Sequence, residues 1–212
     1  VKICASHAGI TLGEDGATHQ ILEDIGMMKM LPGMTVINPC DYNQTKLATI
    51  ALGDHVGPAY LRFGRPKWPI FTPENTKFQI GKGIKFLDGN DISIFATGHM
   101  LWQALEAEKI LFSLGVSCEV INIHTIKPLD EEIILESIKK TKCAISCEEH
   151  NIIGGLGESI SRLISEKYPI PFKVIGVNDS FGESGKPLDL LEKYNLSPES
   201  IKEAALVIIE KK

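Results

Sequence analysis

The chain has 212 residues, 43% of them hydrophobic and 23% charged, with a formal net charge of −5 at pH 7. That balance is ordinary for a globular chain long enough to bury a real core, as one large domain or two small ones. The mild acidity argues against nucleic acid and membrane surfaces as partners, because both recruit a basic excess, and no apolar run approaches the ~20 residues of a membrane span.

Short β-branched runs alternate with amphipathic runs, the signature of an α/β architecture on a parallel sheet. Val1 to Ala5 reads as a strand already under way, with no initiator Met, so the expectation is a chain that starts inside a domain. A glycine-rich loop follows. A helical stretch is then predicted from about His19 to Met30, ended by Leu31-Pro32-Gly33, where proline removes a ladder donor and glycine admits positive φ. Thr35 to Ile37 is the next strand, Asp41 is placed to cap a helix running to about Leu52, and Ala59 to Phe63 is a third strand. Residues 64–90 carry Pro66, Pro69, Pro73, Gly81, Gly83 and Gly89 without clean periodicity. Such a stretch is long for a loop inside one compact domain and marks a boundary. The chain is therefore divided into residues 1–75, a linker over 76–90, and residues 91–212. The second unit opens with a strand from Ile92 to Thr97. After Gly98, Leu101, Ala104, Leu105, Ala107 and Leu111 fit a helical period of 3.6. Cys118 to Ile123 is a strand, Asp130 can cap a helix through Ile138, and Cys143 to Cys147 is a strand. Gly154-Gly155-Leu156-Gly157 opens a helix to about Ile164, Phe172 to Val177 is a strand, and Ser197-Pro198 starts a terminal helix with proline at its first position.

The densest polar cluster is Ser6-His7-Ala8-Gly9-Ile10-Thr11-Leu12-Gly13-Glu14-Asp15-Gly16-Ala17-Thr18-His19-Gln20. It follows a strand, at the carboxyl edge where open α/β sheets place ligands. Its glycines let the loop fold tightly enough for His7, Asp15 and His19 to converge on one small ligand. Imidazoles pass protons near neutrality, and a carboxylate accepts hydrogen bonds from sugar hydroxyls. The plainer reading, a connection in which Asp15 or Thr18 caps the next helix, stands beside it. No spacing in the loop suits a metal. The other candidates read as structural: the five cysteines as buried free thiols; Glu148, Glu149 and His150 as structural or interface residues; and His99 and His124 as satisfied histidines. Gly154 to Gly157 reads as close helix–sheet packing, Arg62 as a strand residue, and His55 as a complement to a helix end.

The string His-Ala-Gly-x-x-x-Gly-Glu-Asp-Gly-x-Thr-His-Gln over residues 7–20, followed by Leu22-Glu23-Asp24 and Leu31-Pro32-Gly33-Met34-Thr35-Val36, resembles the pyrimidine-binding domain of transketolases. Leu61-Arg62-Phe63-Gly64-Arg65-Pro66 resembles that family's strand ending in a substrate arginine. Phe181-Gly182-Glu183-Ser184-Gly185-Lys186-Pro187, with Leu190 to Tyr194, resembles its C-terminal domain. The resemblance covers nearly the whole chain. It implies a thiamine-diphosphate-binding fold, truncated to part of the pyrimidine domain, followed by a transketolase C-terminal-domain-like α/β unit. It implies a cytoplasmic transferase of the pentose phosphate pathway that moves a two-carbon ketol unit from a ketose phosphate to an aldose phosphate. His7 would contact the phosphate end of the sugar channel, Asp15 would bind the hydroxyl next to the aldehyde carbon, and His19 would sit near the reacting carbon and the cofactor's aminopyrimidine. Arg65 would bind the substrate phosphate, which suits a planar guanidinium fork. The implied cofactors are thiamine diphosphate and Mg²⁺ or Ca²⁺, yet the family's Gly-Asp-Gly…Asn motif and its upstream glutamate are not in this chain. The implied partner is therefore a diphosphate-binding N-terminal section, in a homodimer or heterotetramer, and the isolated chain is expected to be inactive. A 1-deoxyxylulose-5-phosphate synthase-like enzyme, the β subunit of a 2-oxoacid dehydrogenase and a non-catalytic assembly module of the same fold are the rival readings.

Overall fold

The computed structural model describes residues 1–212, which form a mixed α/β structure on two sheets. Strands β1 (Lys2–Ala5), β2 (Thr35–Ile37) and β3 (Ala59–Arg62) pair in parallel in the order β1-β3-β2. Helices α1 (Asp24–Met30) and α2 (Tyr42–Asp54) connect them. The second sheet has the order β4-β6-β5-β8-β9. In it β5 (Ile92–Ala96), β6 (Cys118–Asn122), β8 (Ala144–Asn151) and β9 (Phe172–Val177) are parallel, and β4 (Ile84–Leu87) runs antiparallel along β6. Every residue of β5 and β6 is buried, as their near-continuous apolar runs require of strands covered on both faces. α3 (Met100–Ser113), α4 (Glu131–Thr141), α5 (Leu156–Lys167), α6 (Pro187–Lys193) and α7 (Pro198–Ile209) complete the chain. None of these helices is long and apolar enough to cross a membrane.

Both halves contribute to each main core. One apolar cluster joins Ile94, Leu101, Leu111, Cys147 and Ile208 to Ile10, Leu22 and Cys40 of the first half. The other joins Phe95, Ile121, Ile138 and Leu163 to Ile25, Val36 and Tyr60. The sheets are also tied by β7 (Thr125–Lys127), which leaves the second half and pairs antiparallel with β2.

Several elements differ from the sequence reading. Helix α1 begins at Asp24 rather than His19 because the preceding residues are held as loop: His19 N and Gln20 N both donate to Gly16 O, and Gln20 Nε2 donates to Ile10 O at 3.0 Å. β4 lies within the stretch read as irregular, where only four residues between Gly83 and Asp88 carry the strand. β7 is three residues long and stops before Pro128, too short for a period to show. β8 runs past Cys147 to Asn151, and all eight of its residues are buried. Asp130 does not cap α4 with its side chain; it accepts from Gly83 N at 2.9 Å instead. Asp41 and Ser197 do cap their helices, accepting from Gln44 N and Ser200 N. All five cysteines are free, and only Cys4 is exposed.

Candidate functional site

The β1–α1 loop has a buried middle and two exposed arms. Gly9 at φ 83° turns the chain into a short 3₁₀ turn, Ile10–Leu12, whose residues are all buried. His7, Asp15 and His19 lie on the exposed arms. His7 has φ 68°, a conformation uncommon for a residue with a side chain, and shares a 2.7 Å hydrogen bond with Ser6 Oγ. His19 shares one of 2.9 Å with Thr18 Oγ1. Asp15 and Arg65 are brought together from 50 positions apart: Arg65 Nη1 donates to Asp15 Oδ2 at 2.6 Å, with the side chains 44% and 45% exposed. No hydrogen bond links His7 or His19 to this pair. Arg65 stands on the wall of a cleft of about 540 Å³. Tyr42, Lys67, Trp68 and His99 line the same cleft, and Trp68 stacks on His99 with ring centroids 4.3 Å apart.

Beneath the loop lies a buried polar network. Arg62 Nε donates to Asp24 Oδ2 at 2.8 Å, Tyr60 Oη donates to the same oxygen, and Arg62 Nη2 donates to Glu149 O at 2.9 Å. Burial works against charge on both Arg62 and Asp24, but each stabilises the other more strongly, so Arg62 is raised and Asp24 lowered from their ordinary values. The carboxylate of Glu149 is buried under the loop. Its Oε1 accepts from Thr11 N at 2.6 Å and Thr11 Oγ1 at 2.7 Å. Burial raises the Glu149 carboxyl, opposed by Arg62 and by the bonds from Thr11. Burial, helped by Arg62, depresses His99 to about 4. His99 is therefore neutral near pH 7, and its 3.6 Å approach to Glu149 is a dipolar contact rather than an ion pair. Glu148 caps α5, accepting from Leu156 N at 2.6 Å and Gly157 N at 2.8 Å, while burial pushes it up to about 7. A side chain at Gly157 would strike Val174, which gives the glycine run its packing role.

Sequence reasoning missed the lining residues Tyr42, Lys67 and Trp68, and the reach of Glu149 to the loop. The available signal was three ionisable residues, Glu148, Glu149 and His150, continuing a strand at a sheet's carboxyl edge. No group of three or more His, Cys, Asp or Glu is arranged to hold a metal ion.

Family models match along most of the chain: the transketolase pyrimidine-binding domain over residues 1–69 and the transketolase C-terminal domain over residues 81–201. Over 205 residues the chain is 46% identical to a protein of Methanocaldococcus jannaschii provisionally named as a transketolase C-terminal section, covering 95% of this chain and 64% of that protein. Over its full length it is 39% identical to the 6-deoxy-6-sulfo-D-fructose transketolase subunit SqwH of Clostridium sp. (strain MSTE9), covering 66% of that subunit. It thus spans just under two thirds of the length of these relatives. A split-gene transketolase, solved as an inactive β4 tetramer, superposes with a TM-score of 0.93 at 39% identity, covering 100% of this chain and 68% of that one.

Proposed function

The chain belongs to the transketolase family, and from that premise we propose that it serves as the C-terminal section of a transketolase, transferring a two-carbon ketol unit between sugar phosphates. The observation that carries this reading is the Asp15–Arg65 pair on the edge of the cleft. A carboxylate that accepts from hydroxyls stands beside a guanidinium fork that suits phosphate. In this reading Asp15 selects the hydroxyl next to the reacting carbon, Arg65 and His7 hold the phosphate end, and His19 holds or passes a proton beside the reacting carbon. Trp68 and His99 wall the cleft on its apolar side. Thiamine diphosphate would supply the electron sink for the two-carbon unit. Its diphosphate and divalent cation do not fit residues of this chain, which has neither the Gly-Asp-Gly…Asn run nor a carboxylate and histidine cluster for a cation. A diphosphate-binding N-terminal section, as homodimer or heterotetramer, completes the proposal, and the names of subunit relatives support it. A cytoplasmic setting is part of the same reading, supported by five unpaired thiols, as is a division at 1–75, 76–90 and 91–212.

The test is a coupled assay of the chain alone and of its assembly with an N-terminal section, thiamine diphosphate and Mg²⁺. Xylulose 5-phosphate plus ribose 5-phosphate is offered in one arm, pyruvate plus glyceraldehyde 3-phosphate in the other. The expected result is turnover of the first pair by the assembly only. Turnover of the second pair alone would move the chain to the deoxyxylulose synthase reading, and silence on both would leave a scaffold. In an active assembly, Asp15→Ala should cut turnover roughly 10–100-fold. It should shift stability by under about 1 kcal/mol, since its ion pair is half exposed.

A further inference from the structure

The second sheet has a vacant-looking address that is already filled. From β5 the chain winds outward through α3 to β6, then returns past β5 to β8 on the other side. Open α/β sheets bind ligands in the crevice this reversal makes, outside the carboxyl ends of the two diverging strands. Here those ends are His99, just beyond β5, and Glu149, beyond the last β5–β8 pairing at Ala96 and Cys147. The 3₁₀ turn of the site loop sits in this crevice. Thr11 donates twice to Glu149 Oε1, and Thr11 Oγ1 lies 3.4 Å from His99 Nδ1. Any side chain at Gly9 would collide with the Glu149 carboxylate.

We infer that Glu149 is a positioning residue: the second half of the chain uses its own ligand crevice to grip Ile10–Leu12, and so fixes the two arms that carry His7, Asp15 and His19. The grip is specific in its chemistry. One buried carboxyl oxygen takes both donors of one residue, and the loop has no other carboxylate partner at that turn. Gln20 Nε2, bonded to Ile10 O and Glu183 O, closes the loop from the opposite side. The inference rests on the proposed site for its consequence in catalysis, but not for the grip itself.

The experiment compares Glu149→Met, Glu149→Gln and Thr11→Val in the complete assembly. Met fills the volume with no acceptor, and Gln keeps an acceptor oxygen. Val deletes only the Thr11 hydroxyl, which keeps the test usable if the Met variant folds poorly. Amide exchange of residues 9–12 should quicken about tenfold or more in Glu149→Met, recover most of the way in Glu149→Gln, and leave β5 and β8 unchanged. The kcat for ketol transfer should fall with the same ranking, and Thr11→Val should add nothing on top of Glu149→Met. Unchanged exchange at 9–12, or equal quickening throughout both sheets, overturns the inference. So does a loosened loop with unchanged kcat. If the parent assembly transfers no ketol unit, the proposed function falls, and the exchange measurement alone still decides whether Glu149 grips the loop.

Discussion

His99, His124 and His150 are held neutral at single-residue scale by the same cause, burial, which depresses each to about 4. Between about pH 4 and the ordinary 6.5, the unfolded chain binds protons that the folded chain refuses. Stability contributed by these groups therefore rises with pH across that window and is lost on acidification. Glu148 has the opposite sign. Pushed up to about 7, it is protonated in the folded chain where the unfolded chain would be ionised, so its contribution fades as pH rises from 4.5 towards 7. A single variant separates the two effects. His124 stacks on Phe78 and bonds only Thr125, and in His124→Gln the urea midpoint should fall less steeply between pH 6.5 and 4 than in the parent. A slope equal to the parent's would mean that His124 is not a source of the acid sensitivity.

Asp41 shows how one cap can organise a whole element and the segment beyond it. Besides Gln44 N at the start of α2, its carboxylate takes Phe71 N, Thr72 N and Thr72 Oγ1 at 2.9, 2.7 and 2.6 Å. Asp41→Ala would leave several donors near Thr72 without an acceptor. The loss should be roughly 2–4 kcal/mol, a helix cap plus one or two orphaned buried groups, read as a lower urea midpoint. A loss no larger than a simple cap would mean that water replaces the carboxylate at Thr72. Asp41 also marks the limit of what was legible. Its capping role follows from residue type and position, as do Thr35–Ile37 and Phe172–Val177, whose β-branched runs are bounded by clear breakers. Its hold on Thr72 does not, because a contact across 31 positions leaves no local period. The same holds at the site. The loop's glycines and polar residues leave a binding segment and a plain connection both open, and the resemblance singles out Asp15 and Arg65, which the structure brings into contact. Glu149 reads only as a structural or interface residue after a strand ending at Cys147, because its buried partner Thr11 lies 138 positions away and leaves no local pattern.

Across the whole molecule, the two sheets are bound by more than a linker. Ile10, Leu22 and Cys40 sit in a core dominated by the second half, and Arg62 reaches from β3 to the backbone of β8. Splitting the halves would expose apolar surface on both and cost Arg62 its hydrogen bond to Glu149 O, which is strongly unfavourable. The chain should therefore unfold in one cooperative step, with calorimetric and van't Hoff enthalpies in agreement. Two resolved transitions would show that the sheets are thermodynamically independent. Strand β7 gives this unity a practical edge. Lys127 and Thr125 complete a ladder begun by Val36 and Ile37, so the first sheet is finished by residues encoded nearly 90 positions downstream. Gene shuffling between relatives that joins them anywhere in the proline-rich stretch after β3 would hand that ladder a foreign edge. Hybrids built this way inherit a mismatched seam unless the downstream parent also supplies residues compatible with 36 and 37, and any exchange of halves has to respect that three-residue dowel.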